Sequence, residues 1–337
     1  MGISKTEIAA LKGLCITMII IHNVVHLLTP VHENEFQFNP DHVTGLFTWF
    51  ETQPVANFFS FWGWLGVSLF LFASGYGLSV KYDSRSLNTG QWIKRHYLKL
   101  QLLLLPAHVA YLAMMLVCNP HAVDGINVLL EQLFLLNVLA PATISPGIFW
   151  YIGTAFQFYL WYLWFRKLNN VQLILIAVCS CLAVALLPTE YVSYIRHNSI
   201  GWMPEFIFGM LLARSNRDLL ICHSRAITIG IACLGVILLA FSKYTFMLSG
   251  ACFVYLLLAY RKRLSRMQLL LYAGNVSASL YVVHAVIRQI VSVSLAVSRH
   301  DLNMSATGTS IIVLIMSLAC AIPYQALYAN VCQKWLH

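Results

Sequence analysis

The residues with the most chemistry to offer stand where they cost the most. Lys12, the pair His22 and His26 with Asn23 between them, His108, Glu205, and His284 with Arg288 all fall within apolar stretches. An ionisable side chain held in hydrocarbon costs at least about 2.5 kcal/mol on insertion scales, so such groups face a cavity or a partner. His22 and His26 are four residues apart, which puts both rings on one face of a helix, one turn from each other. Neutral imidazole is suited to general-base work near neutral pH, and the Asn23 amide beside it to hydrogen-bond donation. Lys12 precedes His22 by ten residues, about 15 Å along a helix axis, so a cation and an imidazole mark different depths of one span. His284 and Arg288 repeat the four-residue spacing on a polar stripe with Ser277 and Tyr281. Interhelical packing and ligand binding account for that stripe equally well. The i, i+4 His pair is also half of a metal site, but the sequence shows no third ligand for it, and no metal is expected.

The elements that must position these groups follow from composition. Of 337 residues, 59% are hydrophobic and only 10% charged, with a mean hydropathy of +0.73. Soluble domains carry about 25% charged residues, so the composition argues against a water-soluble enzyme. Apolar runs of roughly 20 residues recur, the length that crosses about 30 Å of hydrocarbon as helix. Ten spans are expected: 9–31, 55–80, 97–117, 146–165, 171–187, 199–213, 226–242, 244–260, 268–298 and 309–333. The apolar stretch 125–140 is short for a span and reads as a re-entrant or interfacial helix. The fold class is thus all-α, a polytopic transmembrane bundle forming a single domain over 1–337, with no separate soluble domain.

Charge orients it. One alternating set of loops holds 17 of the 21 Lys and Arg: Lys5, Lys12, Lys81, Arg85, Lys94, Arg95, Lys99, Arg166, Lys167, Arg214, Arg217, Arg225, Arg261, Lys262, Arg263, Arg266 and Lys334. The opposite set holds only Arg196, Lys243 and Arg299. By the positive-inside rule both termini are cytoplasmic, and the net charge of +9 calls for no nucleic-acid partner. The first outer loop carries Glu33, Glu35, Asp41 and Glu51 without a Lys or Arg. The nine cysteines lie mostly in apolar runs and lack zinc-site spacing, so neither a disulfide framework nor a metal centre is read from them. The N-terminal Met1-Gly2 pattern fits myristoylation, which adds little to a protein with ten spans, and the first span lacks a cleavage site and is expected to be retained.

Five segments in order resemble the membrane acyltransferase-3 family. Leu11-Lys12-Gly13-Leu14 followed by an apolar run to His22 resembles the family's basic residue–X10–His signature, here with nine intervening residues. That register leaves His22 and His26 both open as occupants of the catalytic position. Phe70-Leu71-Phe72-Ala73-Ser74-Gly75-Tyr76, Pro146-Gly147-Ile148-Phe149-Trp150-Tyr151 with Gln157-Phe158-Tyr159, Pro204-Glu205-Phe206-Ile207-Phe208-Gly209-Met210, and the stretch Gly274 to His284 are similar to its later motifs.

The resemblance implies a multi-pass enzyme of the bacterial inner membrane. It would carry an acetyl group from cytoplasmic acetyl-CoA to a hydroxyl of an extracytoplasmic carbohydrate or glycoconjugate of the cell envelope. His22, with His26 as partner or substitute, would be the base; Asn23, Tyr281 or Ser74 would stabilise the oxyanion. Lys12, Lys94, Arg95 and Lys99, with Ser74, would bind the donor and its phosphates. Trp150, with Trp62 and Trp64, and Glu205, Tyr281, His284 and Arg288 would line the acceptor site. The competing class is a transporter of a small organic acid or amino acid, for which ten spans and intramembrane His and Arg would serve equally.

Overall fold

The computed structural model describes residues 2–28, 33–43, 54–118, 133–135, 149–215, 225–297 and 305–336. Among them every extended element is helical and no strand occurs. In chain order the α-helices are α1 (Lys5–Leu28), α2 (Pro54–Trp62), α3 (Leu65–Tyr82), α4 (Thr89–Cys118), α5 (Trp150–Phe165), α6 (Asn170–Leu186) and α7 (Thr189–Arg196). There follow α8 (Met203–Arg214), α9 (Arg225–Ala240), α10 (Ser249–Leu264), α11 (Gln268–Asn275), α12 (Ser277–Val297) and α13 (Ala306–Leu336). The apolar stretch 125–140 falls almost wholly outside the described residues.

Five stretches are long and apolar enough to cross a bilayer: Lys5–His26, Pro54–Tyr82, Thr89–Met114, Ser277–Ser294 and Ala306–Trp335. The other expected spans correspond to shorter helices, among them the apolar Asn170–Leu186 and Ala226–Leu238. Two expected spans are broken, and the breaks carry meaning. The stretch 55–80 divides at Gly63 between α2 and α3, and 268–298 divides at Val276 between α11 and α12. In both places glycine or asparagine, poor helix formers, interrupt an otherwise apolar run. Pro106 and Pro323 stay inside α4 and α13, as membrane helices allow.

Without water, helices in lipid associate through small residues that let backbones approach. A Cβ on Gly75 of α3 would lie 2.1 Å from the Phe206 carbonyl of α8, and one on Gly209 of α8 would lie 2.1 Å from the Phe72 carbonyl. The Gly75-Tyr76-Gly77 run lies within continuous α3, and its Gly75 seats α8. Likewise Gly13 of α1 and Gly274 of α11 approach the Leu270 and Ala9 carbonyls. This contact locks the first half of α1.

Polar contacts sort to two ends. At one, Arg214 Nε meets Asp83 Oδ2 at 2.8 Å, Arg166 donates to the Tyr82 carbonyl at 2.9 Å, and Arg261 faces Glu7 at 3.5 Å. Basic residues from three of the loops grouped by charge thus gather with the end of α3 and the start of α1 at one face. At the other end, Glu33 and Glu35 lie against the far half of α1, and Arg196 meets the Glu35 carbonyl there.

Candidate active site

His22 lies on α1 with 4% of its surface exposed. Its Nδ1 is 2.9 Å from the Phe59 carbonyl of α2, an acceptor only, so Nδ1 carries a proton and Nε2 is turned to the loop that follows α1. There Nε2 meets Glu33 Oε2 at 2.8 Å and Glu35 Oε2 at 3.8 Å. His26, one turn on, packs its ring centroid 4.0 Å from that of His22. Its Nε2 is held by Ser60, 3.0 Å from Oγ and 3.3 Å from the carbonyl, which leaves Nδ1 facing Glu33 Oε2 at 3.8 Å. The rings are tolerated in the interior because carboxylates and α2 carbonyls partner them.

Glu33 and Glu35 join the His pair although the sequence did not single them out for it. Their signal was the acidic loop without a compensating cation, opening seven residues after His26. Burial pushes the Glu33 carboxyl up, but the adjacent His22, by charge and hydrogen bond, outweighs this and holds it below the ordinary carboxylate range. Burial raises Glu35, and the negative charge of Glu33 raises it further against the opposing hydrogen bond from His22. The pair therefore divides its roles: Glu33 is the ionised partner of His22, and Glu35 holds its proton more tightly.

Arg196, fully buried on α7, secures this loop. Its Nε donates to the Glu35 carbonyl at 2.8 Å, its Nη1 donates to the Gly201 carbonyl at 2.7 Å, and the guanidinium lies 3.7 Å over the Trp202 ring. Trp150 stacks on Trp202 with centroids 5.5 Å apart, and Trp64 meets the same ring edge-on. Both are buried, at 8% and 2% exposure, so their faces pack on protein; Trp62 is partly exposed. Glu205 belongs to this region too. It is fully buried on α8, where a Cβ on Gly250 would touch both its Oε1 and the Ser68 hydroxyl.

Asn23 points elsewhere. Its Nδ2 lies 3.3 Å from His284 Nε2, whose Nδ1 is held by the Leu280 carbonyl at 3.1 Å. Arg288 donates to the Asn23 carbonyl at 3.0 Å. Asn23, His284 and Arg288 thus form one polar seam between α1 and α12, adjoining the His22 cluster on the α1 backbone. His108 is fully buried against Phe149, and neither ring nitrogen has a partner among the described residues.

The expected donor residues divide between two places. Lys12, Ser74, Lys99 and Tyr281 line one cavity of about 210 Å³, together with Tyr151 and Tyr159. It extends along α1 to Ile19, three residues short of His22, or about 4.5 Å of helix rise. Lys94 and Arg95 instead line an open groove with Trp92 and Trp335, nearer the start of α4.

An all-helical bundle with several bilayer-length apolar helices defines an integral membrane protein, and it carries a His–carboxylate cluster and a cation-lined internal cavity. A family model described as an acyltransferase domain, acyltransferase family 3, matches residues 5–325, and the chain belongs to that family. It is a membrane acyltransferase, and the transporter alternative is not favoured. No curated protein and no solved structure gives a significant match.

Proposed function

We propose that this acyltransferase moves an acetyl group from acetyl-CoA, entering at the basic, cytoplasmic face, to a hydroxyl of an extracytoplasmic carbohydrate or glycoconjugate. The observation that carries the reading is that α1 runs from the Lys12-lined cavity to the His22–Glu33 pair. One rigid element thus holds a donor channel and a proton acceptor in register. The cavity is smaller than the ~300–1,000 Å³ of sites that enclose whole drug-sized ligands. It suits a narrow pantetheine arm with the thioester directed towards Ile19, while the nucleotide stays outside with Lys94 and Arg95.

The acceptor hydroxyl enters at the carboxylate loop and lies against His22 Nε2. That nitrogen, once its own proton has passed to Glu33, takes the hydroxyl proton, and Glu33 stays hydrogen-bonded to the imidazolium. The oxygen attacks the thioester carbonyl. Tyr281 or Ser74, both on the cavity wall, donates to the oxyanion, and collapse expels CoA thiolate, which takes up the proton. General-base catalysis contributes ~10²–10⁴-fold, so His22→Ala and Glu33→Gln should each reduce transfer of radiolabelled acetyl to a sugar acceptor in proteoliposomes by about that factor. If both retain full transfer, the assignment is wrong. If CoA is never released, the reading of the protein as acetyl-CoA-dependent falls.

A further inference from the structure

The same cluster has the composition of a transition-metal site. His22 Nε2, His26 Nδ1 and Glu33 Oε2 all lie within 4.8 Å of one another. Tetrahedral zinc with bonds of about 2.0–2.1 Å holds its ligand atoms some 3.3 Å apart. The distances from Glu33 Oε2, 2.8 Å to His22 and 3.8 Å to His26, bracket that value. The sequence lacked a third ligand beside the His pair; the fold supplies Glu33 from the following loop.

Two further features distinguish this from a chance gathering of side chains. A metal-binding imidazole donates its other N–H to a fixed acceptor, which sets the tautomer and aims the lone pair. Both rings have that arrangement. His22 Nδ1 is anchored on the Phe59 carbonyl and His26 Nε2 on Ser60, consecutive residues of α2. Glu35 Oε2, 3.8 Å from His22 Nε2, stands ready as a fourth ligand or as acceptor for a metal-bound water. The ionised Glu33 beside two imidazoles supplies negative charge that a divalent cation would neutralise, and two His with carboxylate is a donor set for Zn²⁺ and its neighbours rather than for Ca²⁺ or Mg²⁺.

We propose that His22, His26 and Glu33 form a binding site for a borderline divalent transition metal, typified by Zn²⁺, which by occupying the His22 lone pair inhibits acyl transfer from the outer side. The binding half stands on the ligand geometry alone; the inhibition half rests on His22 being the base. Metal replaces a proton on the cluster and no bond to substrate is made.

The test uses the full chain in nanodiscs. Equilibrium dialysis against Zn²⁺ should give about one equivalent per chain, and Glu33→Gln and His26→Gln should each weaken binding by at least about tenfold. X-ray absorption of the Co²⁺-loaded wild-type protein should show imidazole scattering and oxygen ligands, a readout that needs no variant to fold. Added Zn²⁺ should suppress acetyl transfer, and EDTA should restore it. Zinc binding absent from the wild type, or equal in Glu33→Gln, overturns the site. Stoichiometric binding with undiminished transfer upholds the site and refutes His22 as base.

Discussion

Gly63, at the break between α2 and α3, tests whether the His22 hydrogen bond positions the chemistry. A Cβ built there lies 2.5 Å from His22 Cβ and 2.5 Å from the Phe59 carbonyl oxygen. Those two residues are the partners of the 2.9 Å bond that fixes the His22 tautomer. Ordinary contact for a Cβ begins at 3.4 Å, so Gly63→Ala must force about 0.9 Å of separation on each side, of the kind that overpacking makes costly. Stretched by a comparable amount, the bond passes beyond 3.5 Å and ceases to be one. A misplacement near 1 Å can cost about 10²-fold in rate, and overpacking about 1–3 kcal/mol in stability. Acetyl transfer should therefore fall about a hundredfold with the KM for acetyl-CoA little changed, measured in proteoliposomes alongside a thermal melt. Gly77→Ala is the control, since a Cβ there meets nothing within 4 Å and alanine in a helix gains ~0.5–1 kcal/mol over glycine. If Gly63→Ala turns over like the wild type, the Phe59–His22 contact does not govern the base.

Gly209→Ala should lower folded yield sharply, because its Cβ would meet the Phe72 carbonyl at 2.1 Å and the Tyr76 backbone N at 2.7 Å and neither can yield; fluorescence size-exclusion of the expressed protein reads this out. Lys12→Met should raise the KM for acetyl-CoA at every ionic strength because the side chain lines an internal cavity, whereas Arg95→Ala, on an open groove, should weaken binding in a salt-dependent way; equal salt dependence would contradict the division of the basic cluster. For Glu35 the raised carboxyl pKa means that the folded state binds its proton more tightly than the unfolded one, so stability is lost as pH climbs from the ordinary carboxylate range towards neutrality. Glu35→Gln should accordingly gain in melting temperature over the wild type between pH 5 and pH 8, each tenfold difference in proton affinity between the two states being worth ~1.4 kcal/mol. A difference independent of pH would show that Glu35 is not the protonated member of the pair.

The helical membrane class was legible because it depends on quantities that a sequence carries openly, namely apolar run length and the alternation of Lys and Arg. His22 and His26 were legible as a shared helix face because a spacing of four residues fixes direction. Their partners were not. Glu33 reaches His22 through a loop with no periodicity, and Phe59 and Ser60 contribute mainly backbone and hydroxyl acceptors, which residue identity does not reveal. Arg196 looked like an exception to the charge rule, yet its place in the opposite set of loops is explained by its hold on the Glu35 carbonyl over Trp202. The basic run Lys94 to Lys99 looked like one cluster in sequence. Arg95 and Lys99 share a helix face, but about 6 Å of rise separates them, so Lys99 reaches the cavity while Lys94 and Arg95, nearer the start of α4, line the open groove.

The placement of Asn23 bears on how the two halves of the site communicate. Sequence adjacency to His22 made it a natural oxyanion donor, but its amide is engaged by His284 and its carbonyl by Arg288. That seam joins α1 to α12, the helix whose Ser277 and Tyr281 stand on the wall of the cavity proposed for the donor. A rotation of α12 that moves Tyr281 towards an incoming thioester would therefore pull on Asn23, one residue from His22. Arg288→Lys keeps the charge but loses the rigid fork that matches the carbonyl. It should therefore lower kcat more than it raises the KM for acetyl-CoA. A change confined to KM would mean that the seam only shapes the cavity and does not align the base with the donor.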